Sequence, residues 1–306
     1  MKFDVIVMGG INVDLLVHVQ QYPPYGTNVP AQSLEINVGG KGANQAVAVV
    51  KQHVRTTLIG SIGADQWGQQ ALDSLTQNNI LPDQVVIKST AATGTAVAVV
   101  DQTGENTLMV VLGANLALTR DDILTVMQDL EANIFLTNLE TSRESVLTAL
   151  QLAHKKGMYI IVDPAPASSY FPEVLQYADL VTPNKEETQQ ITGIPVENFA
   201  EAQKAAYLIT QKGVPKAIVK LGSLGSVLYE ASTQHFTIIP ATPVQAVNTV
   251  GAGDTFAGVL AANLVQDPGN LVSAIKTASK AAALKVARSG GQAAIPTQEE
   301  IAQFSI

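Results

Sequence analysis

The stretch Val247-Asn248-Thr249-Val250-Gly251-Ala252-Gly253-Asp254-Thr255-Phe256-Ala257-Gly258 runs a small-residue turn straight into a helix. From Ala252 to Val265 the residues are nearly all apolar or small, with Phe256, Val259, Leu260, Leu264 and Val265 spread around the circumference. A helix that is apolar all round is buried. Its N-terminus offers backbone N–H groups with partial positive charge, which attract anions. Gly251 and Gly253 have no side chains to block an approaching ligand. A single acid, Asp254, stands in the first turn. Two readings fit it. One is a carboxylate that complements the helix dipole. The other is a base that takes the proton of a hydroxyl attacking a phosphate held by the turn.

Upstream of this stretch, from Leu118 onward, helix and strand alternate. The pattern predicts helix 120–130 and strand 134–137, helix 142–156 and strand 158–162, then strand 180–182 and a helix reaching Thr192. Helix 200–212 and strand 217–220 follow. Such alternation means parallel βαβ units with right-handed crossovers. Each strand ends in a polar or glycine turn on one edge: Asn138-Leu139-Glu140, Asp163-Pro164-Ala165-Pro166, Pro183-Asn184-Lys185-Glu186-Glu187 and Leu221-Gly222-Ser223-Leu224-Gly225. Open α/β sheets place their ligands at that edge. One site can therefore collect Glu140, Asn184, the Gly222–Gly225 turn and Asp254. Segments 227–229 and 235–239 read as a late antiparallel pair, and 271–288 as a helix before Ser289-Gly290-Gly291. A short acidic helix is expected after Pro296.

Toward the N-terminus, residues 3–8 read as a central strand, apolar on both faces. It ends in Gly9-Gly10-Ile11-Asn12-Val13-Asp14, which puts Asn12 and Asp14 at the ligand edge or in a plain polar turn. Residues 15–19 and 33–38 read as strands of a small β-flap outside the main layer. Gly39-Gly40-Lys41-Gly42-Ala43-Asn44-Gln45 then feeds a helix expected over 46–53, with Asn44 either a ligand contact or a helix cap. It is not a P-loop, because no Gly-Lys-Ser/Thr closes it, and it lacks the third glycine of a dinucleotide fingerprint. Strand 57–62 and helix 65–79 follow. Residues 95–100 and 106–112 read as a hairpin joined at Asp101-Gln102-Thr103-Gly104-Glu105 and assigned in part to the flap.

Composition narrows the function. The chain has 306 residues, no cysteine and a net charge of −8. Disulfides and thiolate metal sites are excluded, and a cytoplasmic location is expected. The charge argues against nucleic-acid and anionic-membrane partners. No apolar run reaches the roughly 18 residues of a membrane span. The four histidines, His18, His53, His154 and His235, have no ligand spacing. Asn184 and Glu187, at i and i+3, could orient water on Mg²⁺, or could be a capping Asn with a solvent-facing Glu. No composition break divides the chain, so one domain over 1–306 is expected, with a lid from excursions at about 11–38 and 95–112.

Taken together, these fragments resemble the PfkB-type carbohydrate kinases, the ribokinase family, over nearly the whole chain. The most specific pieces are Gly39–Ala46 and Asn248–Phe256, supported by the Gly9–Asp14, Thr182–Glu187 and Leu221–Gly225 segments. The resemblance implies a Rossmann-like three-layer α/β/α sandwich with a small β-sheet lid, and ATP with Mg²⁺. It implies sugar contacts from Asn12, Asp14, Gly40, Lys41, Gly42, Asn44 and Glu140. It makes Asp254 the base and Gly251, Ala252 and Gly253 the anion hole. Asn184, Lys220, Gly222, Ser223, Gly225, Gly253 and Ser279 match nucleotide positions, and Glu187 an acid linked to Mg²⁺ through water. It also implies a homodimer clasped through the lid, and an activating monovalent cation, typically K⁺. Here Asn248 replaces the usual cation-binding Asp, and Ala294 replaces a common hydroxyl residue. Losing a negative ligand weakens cation binding, leaving at most backbone carbonyls near Val250, Lys285, Arg288 and Gly290. The expected activity is ATP-dependent phosphorylation of D-ribose at O5. A kinase for another sugar or a nucleoside, and a non-catalytic sensor, are the alternatives. The aliphatic flap strands favour a bare sugar, and the intact Asp254 and glycine turn disfavour a sensor.

Overall fold

The computed structural model describes residues 1–102 and 106–304. In chain order the first elements are β1 (Val5–Met8), β2 (Asn12–His18), β3 (Ser33–Gly39), α1 (Lys41–Val50), β4 (Thr56–Gly63), α2 (Gln66–Gln77), β5 (Val85–Lys88), β6 (Gly94–Val100) and β7 (Asn106–Val111). Next come α3 (Arg120–Met127), β8 (Ile134–Thr137), α4 (Arg143–Lys155), β9 (Tyr159–Val162), β10 (Leu180–Val181), α5 (Lys185–Thr192), α6 (Phe199–Thr210) and β11 (Lys216–Lys220). The chain continues with β12 (Gly225–Glu230), β13 (His235–Pro240), α7 (Ala252–Gln266), α8 (Leu271–Val286) and α9 (Gln298–Gln303).

Nine strands form the main sheet in the order β13-β12-β11-β10-β9-β8-β1-β4-β5. The pairings from β11 to β5 are parallel, and β12 and β13 add an antiparallel end. Because side chains alternate across a strand, β1 serves two cores. Val5 and Val7 pack with α1, α7 and α8, while Ile6 and Met8 pack with α3, α4 and α6. This is the expected three-layer sandwich.

Helix α7 is buried from Asp254 through Ala262. Its Gly258 lets α1 pass close by: a Cβ there would stand 2.5 Å from the Gln45 carbonyl oxygen and 2.6 Å from Ala48 Cβ. That close crossing brings the first turns of α1 and α7 together, and the site is built between them.

A separate four-stranded sheet, β3-β2-β6-β7, stands where the flap was expected. Of the expected turn between its last two strands, Thr103–Glu105 lie outside the described residues. Leu34, Ile36, Leu108, Met109, Val110 and Val111 are all exposed on this sheet.

Two expected starts shift by several residues, and one strand is added. Strand β2 begins at Asn12, not at residue 15, because main-chain pairing of Asn12 with Gly39 and Gly94 is indifferent to side-chain polarity. Asn12 and Asp14 are therefore strand residues rather than turn residues. Helix α1 begins at Lys41, not at 46, because Gly40 at φ 86° supplies the turn, and its first turn, Lys41-Gly42-Ala43-Asn44, has no large apolar residue to mark it. Strand β5 at the sheet edge was not expected at all; its four residues carry no clear alternation. No helix among the described residues is long and apolar enough to cross a membrane.

Candidate active site

Gly251 opens α7 in the left-handed conformation, at φ 77° and ψ 4°, and no side chain caps this end. The Ala252 N–H makes a 3.3 Å bond back to the Thr249 carbonyl. Gly253 faces Lys220, whose Nζ would lie 3.7 Å from a Cβ built there. A Cβ on Gly251 would lie 3.9 Å from Asn44 Nδ2 and 4.0 Å from Asp254 Oδ2. The turn is therefore an uncapped helix end with ammonium and carboxylate groups close at hand.

Asp254 is 5% exposed. Asn44 Nδ2 donates to its Oδ2 at 3.0 Å, and Gln292 Nε2 in turn donates to Asn44 Oδ1 at 3.2 Å. This fixes Asn44 as an orienter of the acid. It does not cap α1, whose N-cap is Gly40. Burial raises the Asp254 carboxyl above its ordinary value, and the Lys41 ammonium and the Asn44 bond work against that shift. Asp14 is pushed up to about 6 by burial and then by the charge of Asp254. Glu140 is pushed up to about 7 by burial, although Lys41 opposes the shift. Burial thus raises all three acids, and the charge of Asp254 adds to the shift at Asp14 and Glu140.

Lys41 sits at the centre of this charge. Its backbone N–H donates to Glu140 Oε2 at 2.7 Å. Its side chain is held well above the ordinary lysine range, first by Asp254 and then, against burial, by Glu140, Asp163 and Glu187. Gly40 allows the approach: a Cβ there would meet the Gly10 carbonyl at 2.6 Å. Gly42 lies against the Gly9 backbone, where a Cβ would stand 2.5 Å from the Gly9 carbonyl carbon. Asn12 is buried, and its Oδ1 accepts from Asn115 Nδ2 at 2.9 Å.

On the other side of Asp254 lies a cleft of about 700 Å³. Lys41, Asn184, Glu187, Lys220, Gly222, Ser223, Gly225, Gly251, Ala252, Gly253, Asp254 and Ser279 all line it, as does the apolar group Ala241, Pro243, Val244, Ala282, Ala283 and Val286. Asn184 caps α5, and its N–H and Nδ2 donate to the two oxygens of Glu187 at 2.7 and 2.9 Å. Glu187 is 4% exposed, so the solvent-facing alternative is wrong. Burial pushes Glu187 up to about 7, against the pull of the Lys220 ammonium. Burial works to lower the Lys220 ammonium, but Asp163 and Glu187 outweigh it and hold the group raised.

Four further polar residues were, like Gln292, not singled out as site residues from the sequence. Asp163, 1% exposed, accepts from Lys220 Nζ and Thr182 Oγ1 on one oxygen and from Gln45 Nε2 on the other, each at 3.0 Å. Gln45 accepts from Asn138 Nδ2 at 3.1 Å, and Asn138 Oδ1 accepts from the Glu140 N–H at 3.2 Å. A continuous chain of hydrogen bonds therefore joins the cleft lysine to the acid beside Lys41. Asn115 is the fourth, holding Asn12 and also accepting the Ile11 N–H. The strand-end position of Asp163 and the turn at Gly113–Asn115 were the available signals.

The candidate cation residues fall behind the α7 turn. Asn248 Oδ1 accepts from the Val250 N–H at 2.9 Å. Arg288 pairs with Glu300 at 2.9 Å on the far C-terminal helix. Lys285 Nζ donates to the Gly290 carbonyl at 3.0 Å, and Ala294 is buried nearby. Among the described residues, no group of three or more His, Asp or Glu is arranged to hold a metal.

A family model described as pfkB family carbohydrate kinase matches residues 2–298. The bifunctional ribokinase/ribose-5-phosphate isomerase A of Fructilactobacillus sanfranciscensis is 33% identical over 97% of this chain, which spans 55% of that longer protein. The deoxyribokinase of Salmonella typhi is 32% identical, with 98% of each chain covered. The solved structure of Arabidopsis thaliana ribokinase complexed with ribose and ATP gives a TM-score of 0.91 at 29% identity, covering 100% of both chains.

Proposed function

The chain belongs to the pfkB family of carbohydrate kinases, and on that premise we propose that it is a ribokinase. It transfers the terminal phosphoryl group of ATP to O5 of D-ribose, giving ADP and D-ribose 5-phosphate. The observation that carries the reading is that two differently built half-sites meet at Asp254. One is a set of buried or half-buried polar side chains, Asn12, Asp14, Asn44 and Glu140, suited to a small polyhydroxylated acceptor. The other is the cleft of about 700 Å³, with an apolar wall for a flat base and Lys220 and the α7 amides for phosphates. That volume lies in the range of small-molecule sites.

Asp254, oriented by Asn44, takes the proton of the attacking hydroxyl. The first N–H groups of α7 stabilise charge on the phosphoryl oxygens, with Lys220 beside Gly253. Lys41 offsets the negative charge of Asp254 and Glu140, against the burial that raises both carboxyls. When bound, Mg²⁺ supplies charge neutralisation at the phosphates and keeps most of its waters. Both Glu187 oxygens already cap Asn184, which suits contact through water rather than direct ligation.

The test is ADP release from Mg-ATP with D-ribose, 2-deoxyribose, fructose and adenosine as acceptors. D-ribose should exceed the others in kcat/KM by about tenfold or more, since a site built to hydrogen-bond a hydroxyl discriminates against its absence. The similarity to a deoxyribokinase makes 2-deoxyribose the informative competitor. Turnover confined to it would keep the kinase and discard ribose. Silence with every acceptor, in protein that binds ATP, would favour a sensor.

The same reading makes the four-stranded sheet a lid that pairs with a second copy of the chain. The support is its exposed apolar strand β7, with Leu108, Met109, Val110 and Val111 all open. Contiguous exposed apolar surface of this kind marks an interface. Light scattering at micromolar concentration should give a dimer, and Leu108→Lys with Val110→Lys should shift it to monomer. A wild-type monomer under those conditions would refute the pairing.

A further inference from the structure

Lys285, in the last turn of α8, is 2% exposed. A buried ammonium is expensive and needs a partner. Here the partner is a carbonyl: Nζ donates to Gly290 O at 3.0 Å. The side chain lies against the opening of α7, because a Cβ on Gly251 would stand 3.7 Å from Lys285 Cε. Burial lowers the ammonium below the usual lysine range, and the Asp254 carboxylate works against that shift. A positive charge is thus built in directly behind the turn that receives phosphate in the proposed reaction.

The resemblance to ribokinases implies a monovalent cation at this place, and the residues present do not fit one. Asn248 offers a neutral amide instead of a carboxylate, and its Oδ1 already accepts from Val250 N–H. The Val286 carbonyl beside it already accepts from the N–H groups of Val247 and Asn248, at 2.8 and 3.0 Å. The Lys285 carbonyl accepts from the Arg288 N–H at 3.2 Å. Ala294 presents a methyl group, which would lie 4.0 Å from a Cβ on Gly290. The Gly290 carbonyl is engaged by the ammonium itself. A second cation placed among these groups would be repelled by Lys285.

We propose that the Lys285 ammonium replaces the monovalent cation, as a tethered charge that holds the Gly251–Gly253 turn in place, and that this kinase runs without K⁺. The proposal rests on the kinase reading and deepens it. Lys285 is a positioning residue: it acts through the Gly290 carbonyl and the α7 turn and does not touch substrate.

Two arms test it. In the first, phosphoryl transfer is compared in KCl and in tetramethylammonium chloride at equal ionic strength. Wild-type kcat should differ by less than about twofold between the salts. Lys285→Ala should lose about tenfold or more of kcat in tetramethylammonium, short of the 10²–10³ of a direct oxyanion donor. It should keep its sugar KM and recover part of the loss in KCl, because the vacated space admits a cation. Lys285→Met, which keeps most of the stem and loses the charge, should fall without recovery. The second arm needs no substrate. Ligand-bound states unfold at higher temperature, so KCl should raise the Tm of Lys285→Ala carrying Asn248→Asp and leave the wild-type Tm unchanged. Saturable activation of the wild type by K⁺, or a K⁺-specific rise in its Tm, would overturn the proposal. So would a Lys285→Ala enzyme at full rate without K⁺. If the variants do not fold, the wild-type salt comparisons still decide. If no acceptor is turned over, the ribokinase reading fails while the Tm arm still judges Lys285.

Discussion

Asp254→Asn is expected to lower kcat by about 10²–10⁴-fold, the usual contribution of a positioned general base, with ATP binding and folding little changed. The amide is nearly isosteric, and its carbonyl oxygen can keep the bond from Asn44 Nδ2 that Asp254 Oδ2 makes at 3.0 Å. Folding should not suffer, because burial already disfavours the Asp254 charge. The pH profile adds a second signature. The raised Asp254 carboxyl and Glu140, at about 7, must be ionised to do their work. Because both are carboxyls with raised values, activity is present above those values and lost as pH falls through them. The wild-type acid limb should therefore lie near neutrality, well above an ordinary carboxylate near 4. Glu140→Gln should keep an acid limb from Asp254 and lose the contribution near 7. A near wild-type rate for Asp254→Asn, with titrated active sites, would remove Asp254 from the role of base.

The acids differ in how legible they were. Asp254 could be read as a candidate because a lone carboxylate stands in the first turn of an all-apolar helix, where a base and a partner of the helix dipole fit equally well. Glu140 and Asn184 were legible through their place at strand ends, where the alternating pattern puts ligands. Asp163 stands at such an end too, but its weight comes from partners that are remote in sequence: Gln45 at 118 residues and Lys220 at 57. No local spacing encodes those contacts. For Glu187 it is the solvent-facing alternative that fails, for a related reason. The capping pair with Asn184 is local and readable, while its burial comes from the neighbouring cleft wall. The same holds for Lys285. A lysine near a helix C-terminus ordinarily reads as a dipole partner in water, and only packing against α7 reveals a buried charge. Boundary errors followed the same logic. The polar starts of β2 and α1 are fixed by main-chain pairing and a left-handed glycine, which leave no hydrophobic trace.

Asp163→Ala should be the most destabilising single change at the site, by about 3–5 kcal/mol, the range for removing one partner of a buried ion pair. Asp163 accepts from Lys220, Thr182 and Gln45, and its loss would strand all three donors in the interior. Lys220 suffers most, because burial opposes its charge and Asp163 is the leading partner that sustains it. Glu187 would remain as a second, longer-range counter-charge, which keeps the expected loss finite. Function should fall on both sides of the site. Lys220 would lose its anchor beside Gly253, and the chain through Gln45 and Asn138 to the Glu140 backbone would be broken at its start. Asp163→Asn separates the two effects. It keeps an oxygen for Lys220 or Thr182 but loses the charge, so it should unfold at an intermediate denaturant midpoint while raising KM for both ATP and sugar. Thr182→Val, which removes one neutral bond, should cost only about 1 kcal/mol. Urea unfolding of the three variants, fitted with a common m-value, measures the series. An Asp163→Ala protein within about 1 kcal/mol of wild type, the size of an average substitution, would mean that Lys220 finds its counter-charge elsewhere and that the two half-sites are held together independently of this network.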